Sequence, residues 1–105
     1  MQFEWDSAKN RVNLRKHHID FADVPEIFDA PMLTSPDLRE DYGEERWIGI
    51  GQLRDLIVVI VFTEPAPETI RIISARKALR HERQDYLQAV THRLDKIAKT
   101  KRQRD

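Results

Sequence analysis

The sequence predicts an α+β domain: a small antiparallel-rich sheet in β-α-α-β-β-β-α order with a long C-terminal helix. Three observations predict it. At 105 residues the chain has length for one hydrophobic core. The run Leu56 to Phe62 is apolar at every position, as in a central strand covered on both faces. Helical spacing of apolar residues flanks that strand-rich middle on both sides.

Phe3-Glu4-Trp5 reads as a short first strand. Asp6 is a good N-cap for a helix over Ser7 to Lys16, with Ala8 and Val12 four apart on one face, that stops near His17-His18. Asp20 caps a second helix, Phe21 to Phe28, in which Phe21, Val24, Ile27 and Phe28 recur at helical spacing and Ile19 and Val24 suit a hydrophobic staple. Pro25 is tolerated only near a helix start, which leaves a later start capped by Asp23 open. Residues 29 to 44, with Pro31, Pro36, Asp37, Asp41 and Gly43, read as a loop around one short extended piece at Met32 to Thr34.

Arg46 to Gln52 alternates, Ile48 and Ile50 on one face and Gly49 and Gly51 on the other, and a turn at Leu53-Arg54-Asp55 leads into Leu56 to Thr63. Glu64-Pro65-Ala66-Pro67-Glu68 is a rigid turn into the last strand, Thr69 to Arg76. There, strict alternation gives each face an arginine, Arg71 or Arg76, unless a bulge intervenes. From about Lys77 to Lys99 a helix carries Leu87, Val90, Leu94 and Ile97 on one stripe. The organisation is a single domain over residues 1–99 and a basic tail over 100–105.

The balance of 40% hydrophobic and 34% charged residues is that of an ordinary globular chain. Without cysteine, disulfides and thiol chemistry are excluded, which fits a reducing cytoplasm. No apolar run is long enough for a membrane span, and the N-terminus lacks the pattern of a signal peptide. The net charge of zero hides an asymmetry: residues 1–75 hold 8 Lys/Arg against 14 Asp/Glu, and residues 76–105 hold 10 against 4. Such a chain offers a basic surface to a polyanion and an acidic one to a basic partner, including a second copy.

No metal or cofactor motif survives inspection. His81-Glu82 lacks the second histidine of a zincin helix, and Gly49-Ile50-Gly51 lies within a strand with no helix after it. His17 and His18 are adjacent, a poor spacing for chelation from a helix face. What remains suits phosphate chemistry: Lys16, His17, Arg46, Arg71, Ser74, Arg76, Lys77, Arg80, Arg83 and Tyr86, with Glu82 beside Tyr86 on one helix face. RNA carries its own nucleophile, so its cleavage needs a base, an acid and cations on the phosphorane, and no metal or cofactor is obligatory. Arginine forks suit the equatorial oxygens, and histidine, carboxylate or tyrosine can move the protons.

Plainer readings stand beside each of these. Arg71 and Arg76 can pair with Glu44, Glu45 or Glu82, and Arg46 with Glu45. His17 can stabilise a helix end, and Tyr86, Trp5 and Trp47 can pack, although Trp47 at a sheet end also suits base stacking.

The ordered motifs Phe3-Glu4-Trp5-Asp6, Lys9, Asn13, Lys16-His17-x-Ile19-x-Phe21, Asp41-x-Gly43-Glu44-x-Arg46, Ile70 to Lys77 and Glu82-Arg83-x-x-Tyr86 resemble the BrnT toxins over residues 3–86. The resemblance implies a RelE-like fold and a ribonuclease toxin of a type II toxin–antitoxin system that blocks translation and growth in the cytoplasm. It also implies a BrnA-like ribbon-helix-helix antitoxin and, through their complex, operator DNA and a possible homodimer. On the matched positions, His17, Arg71, Arg76, Glu82 and Tyr86 are the candidates for catalysis, and Lys16, Arg46, Ser74, Lys77, Arg80 and Arg83 for RNA contact. Two departures stand out: the family usually has glycine where this chain has His18, and a small helix former where it has Pro25. The alternative is a non-catalytic module that binds nucleic acid or a partner through its basic helix and acts as a corepressor.

Overall fold

Chain direction in the first third is set by two aspartate caps. In a computed structural model, which describes the backbone of residues 1–103 and the side chains of residues 1–92, strand β1 (Gln2–Trp5) half-buries Phe3 and Trp5. Asp6 then accepts the Lys9 amide at 3.0 Å and starts helix α1 (Ser7–His17). The Ala8/Val12 spacing points to a buried apolar face, but Val12 is 59% exposed and Asn13 is the residue α1 buries. The helix ends on His18 in the left-handed region, φ 61°, with its amide donating to the Leu14 carbonyl at 2.9 Å.

Asp20 caps the next element by accepting the Ala22 amide at 3.0 Å. That element, Phe21–Asp29, is a 3-10 helix and not the α-helix its spacing suggests. Pro25 sits inside it and has no amide hydrogen for an α-helical ladder. Its start at Phe21 rules out the later start at Asp23.

The sheet has five strands in the order β1-β5-β4-β3-β2, with β1 parallel to β5 and every other pair antiparallel. The added strand is β2 (Leu33–Pro36), which pairs with β3 (Trp47–Leu53) where the sequence reading had only an extended piece in a loop. Strand β4 (Leu56–Ala66) is the central one, as its apolar run predicts, and continues to Ala66. Strand β5 (Thr69–Lys77) follows, and helix α2 (Arg80–Gln103) starts three residues later than expected. The stripe positions Leu94 and Ile97 lie outside the residues whose side chains are described, as does the tail 100–105.

One face of the sheet carries the core. Val58, Ile60 and Phe62 of β4 and Ile70, Ile72 and Ala75 of β5 cluster with Phe21, Val24 and Ile27 of the 3-10 helix, and Ile19 joins them. Gly51 matters here, because a Cβ at that position would collide with the Ile27 side chain. Rings continue the layer outward, Phe3 to Phe28 at 5.2 Å and Phe28 to Phe62 at 5.3 Å. On the opposite face, Val59 and Val61 are also buried, although they stand outside this cluster. The start of α2 packs against β3, and its Tyr86 is buried with its hydroxyl donating to the Pro31 carbonyl at 3.2 Å.

Strand β5 carries the bulge that sequence alternation leaves open. Phe62 pairs with Ile72 but Val61 pairs with Ser74, so Ile73 is one residue too many and the phase reverses there. Ile70, Ile72 and Ala75 therefore point into the core. Arg71, Ser74 and Arg76, opposite Thr63, Val61 and Val59, all lie on the other face.

Candidate phosphate-binding site

The face on which Arg71, Ser74 and Arg76 lie is where the site is assembled. Arg76 donates both terminal nitrogens to Glu82, at 2.7 Å to Oε1 and 2.9 Å to Oε2, in a planar fork. The same Oε1 accepts the Leu79 amide at 2.7 Å, and so satisfies the first turn of α2, where leucine has no capping side chain. One carboxylate thus fixes the helix start and aims the guanidinium. The Arg76 guanidinium holds the Glu82 carboxyl down at about 2, and Glu82 in turn raises the pKa of Arg76.

The end of α1 reaches the same place. Lys16, His17 and His18 line a cavity of about 580 Å³ with Arg76, Lys77 and Leu79. A second cleft of about 410 Å³ shares Lys16 and His17 and is floored by Ile73 and Ser74. What holds α1 here is Asn13, whose amide nitrogen donates to the Ile19 carbonyl at 3.0 Å and the Ala75 carbonyl at 2.9 Å. Its oxygen accepts the Ala75 amide at 3.1 Å. Strand β1 stops opposite Ile72, so the β5 edge is free at Ala75, and Asn13 satisfies it as a strand would.

A second cationic group stands about 13 Å further along β5, at strand rise. Arg71 lies opposite Thr63 and pairs with Glu4 at 3.2 Å. Arg46 comes just before β3, whose first pair joins Trp47 to Phe62, so extending that register by one residue sets Arg46 across from Thr63, on the side away from Arg71. The Arg46 guanidinium lies 4.0 Å above the Tyr42 ring and donates to Glu44 at 3.2 Å. Thr63 is buried, and its Oγ1 has no hydrogen-bond partner. Nearby, Arg39 forks onto Asp37 at 2.8 and 2.7 Å and holds that buried carboxyl at about 2. The charge of Arg39 also reaches Arg76.

The structure therefore brings together Lys16, His17, Ser74, Arg76, Lys77 and Glu82. Arg46 and Arg71 form a separate group on the same face. Arg80 and Arg83 are exposed at the start of α2, Arg83 donating to the Ala78 carbonyl at 3.0 Å. Of the ion pairs considered from sequence, Arg76 takes Glu82, but Arg71 takes Glu4 and Arg46 takes Glu44. Sequence reasoning missed Arg39, Asp37 and Tyr42, whose residue types read simply as loop chemistry. It also assigned no part to Asn13, for which an asparagine inside a helix was a usable signal.

A cationic, histidine-bearing cleft built on a bulged strand and the end of a helix is the candidate site of this small α+β domain, and its side chains are of the types that bind phosphates. Comparison with known proteins narrows this. Residues 5–82 match the sequence model of a family described as the ribonuclease toxin, BrnT, of type II toxin–antitoxin systems, and the chain belongs to that family. It is similar to the ribonuclease toxin BrnT of Brucella abortus, a 1.1 Å crystal structure, with 28% identity and a TM-score of 0.60 over 76% of this chain and 99% of that one. No curated protein sequence matches the chain. Membership brings an RNA substrate and an antitoxin partner. Among the described residues, no helix is long and apolar enough to cross a membrane.

Proposed function

We propose that this toxin cleaves RNA without a metal ion, by attack of a 2′-hydroxyl on the adjacent phosphate in the cavity lined by the end of α1 and by Arg76 and Lys77. The observation that carries the reading is the juxtaposition of His17 and Lys16 with an Arg76 already aimed by Glu82. The 2′-oxygen forms its bond to phosphorus as the bond to the 5′-oxygen breaks. The 2′-proton leaves to a base, and a proton reaches the departing 5′-oxygen, giving a 2′,3′-cyclic phosphate and a 5′-hydroxyl. Imidazole exchanges protons near neutral pH, so His17 takes the proton-transfer role. Arg76, Lys16 and Lys77 stabilise the charge on the phosphorane.

Glu82 has both oxygens engaged and a strongly lowered pKa, so it serves as the positioning residue for Arg76 and not as a proton carrier. Tyr86 ties α2 to the segment between the 3-10 helix and β2 through the Pro31 carbonyl. Ser74, Arg71, Arg46, Arg80 and Arg83 contact flanking RNA. In the cell the toxin acts in the cytoplasm and blocks translation, and growth with it. A BrnA-like ribbon-helix-helix antitoxin covers the basic face, and the complex, with two toxin copies, binds operator DNA.

The test is a gel time course with the chain at a small fraction of the RNA concentration, in EDTA, followed by analysis of the product 3′ ends. Turnover leaving 2′,3′-cyclic phosphates is the expected result. Loss of activity in EDTA would contradict metal independence, and a salt-sensitive mobility shift without consumption would favour the corepressor module.

A further inference from the structure

We propose that the second cleft, between α1 and β5, is a nucleobase subsite that seats the base next to the phosphate held at Arg76. The inference rests on the ribonuclease reading of the neighbouring cavity and names what else that site takes from the substrate.

The cleft exists because β1 ends at Trp5, opposite Ile72, and α1 continues along the β5 edge without replacing the missing strand. Asn13 bridges to β5 at Ala75 alone, so the bulged Ile73 is left half-buried at the floor of the gap. Ala8 and Val12 form the helix wall. Val12, 59% exposed, is thus an apolar residue spent on the mouth of a cleft and not on the core.

Three properties favour a nucleobase. The floor and wall are apolar, and a base presents a flat π-face that gains from such contact without regard to sequence. The polar groups at the rim are Lys9, Lys16 and His17, and no carboxylate lines the cleft, so the surface complements a polyanion. Finally, the cleft adjoins the cavity of Arg76 and Lys77, sharing Lys16 and His17 with it, so a base here and a phosphate there suit one nucleotide. The Asn13 amide is fully committed to backbone partners, which leaves the Ser74 hydroxyl as the group at the floor for reading a base edge.

The experiment is an amide and side-chain NMR titration of the intact chain with inorganic phosphate and, separately, with the four 2′-O-methyl homotrinucleotides, which cannot be cleaved. Phosphate is expected to shift Lys16, His17 and Arg76 only, whereas at least one trinucleotide shifts Ala8, Val12 and Ile73 as well. The uncharged Val12→Ser, at an exposed position, should weaken that trinucleotide about tenfold and leave phosphate binding unchanged, whereas Val12→Glu, four residues before Lys16, should weaken both. Trinucleotide shifts confined to the phosphate set, or unaltered affinity in both variants, would overturn the subsite and leave the ribonuclease site standing. Failure of every probe to shift either set would overturn both. Unaltered trinucleotide affinity with weakened antitoxin binding in Val12→Glu would assign the cleft to a protein partner.

Discussion

Asn13 shows how much of this fold turns on one polar side chain. It satisfies the Ala75 amide and the Ala75 and Ile19 carbonyls, all buried, and so sets where the end of α1 meets β5. Asn13→Ala should cost roughly 2–4 kcal/mol in denaturant unfolding, since it leaves several buried backbone groups unpaired. His18 is the opposite case. It adopts φ 61°, which suits glycine, and its amide closes α1 on Leu14. His18→Gly should therefore raise stability by about 0.5–1 kcal/mol in the same measurement. Glu82 makes a prediction in pH. Its folded-state pKa is depressed from 4.5 to about 2 by Arg76, so its pair adds stability that is fully present above about pH 4.5 and is lost as pH falls toward 2. The stability gap between wild type and Glu82→Gln should hold constant above pH 5 and close below it; a gap independent of pH would contradict the pairing.

Among the elements, those defined by their own residues were legible. The apolar run of β4 announced a central strand, and Asp6 and Asp20 announced the two helix starts. Elements defined by a neighbour were not. Nothing within Leu33–Pro36 requires a strand, since all four residues are exposed and the segment exists by pairing with β3. The bulge at Ile73 is invisible until β5 is registered against β4, yet it alone brings Arg71 and Arg76 to one face. The site was legible to the same extent: its residue types were recognisable, while their division into an Arg76 group and an Arg46/Arg71 group depends on that register. The 3-10 helix gives a prediction at this scale. Its Ile27 presses on Gly51, so Gly51→Ala should destabilise the fold by about 1–3 kcal/mol through overpacking, read as a lowered unfolding midpoint.

For the whole molecule, the acidic first part and basic last part turn zero net charge into a polar distribution suited to two partners. The family match runs through Glu82, the residue that aims Arg76. Saturating antitoxin should abolish cleavage by covering the basic face; equal rates with and without it would contradict that placement. The central claim is that the phosphate is held at Arg76 beside His17, and the direct measurement is the single-turnover cleavage rate of Arg76→Ala, His17→Ala and Arg71→Ala beside wild type. Arg76→Ala and His17→Ala should each lose about 10²–10³ in rate with folding intact, while Arg71→Ala chiefly weakens RNA binding. Near-wild-type rates for a folded Arg76→Ala, with activity lost instead at Arg71, would move the reaction to the other end of the sheet face and contradict the account.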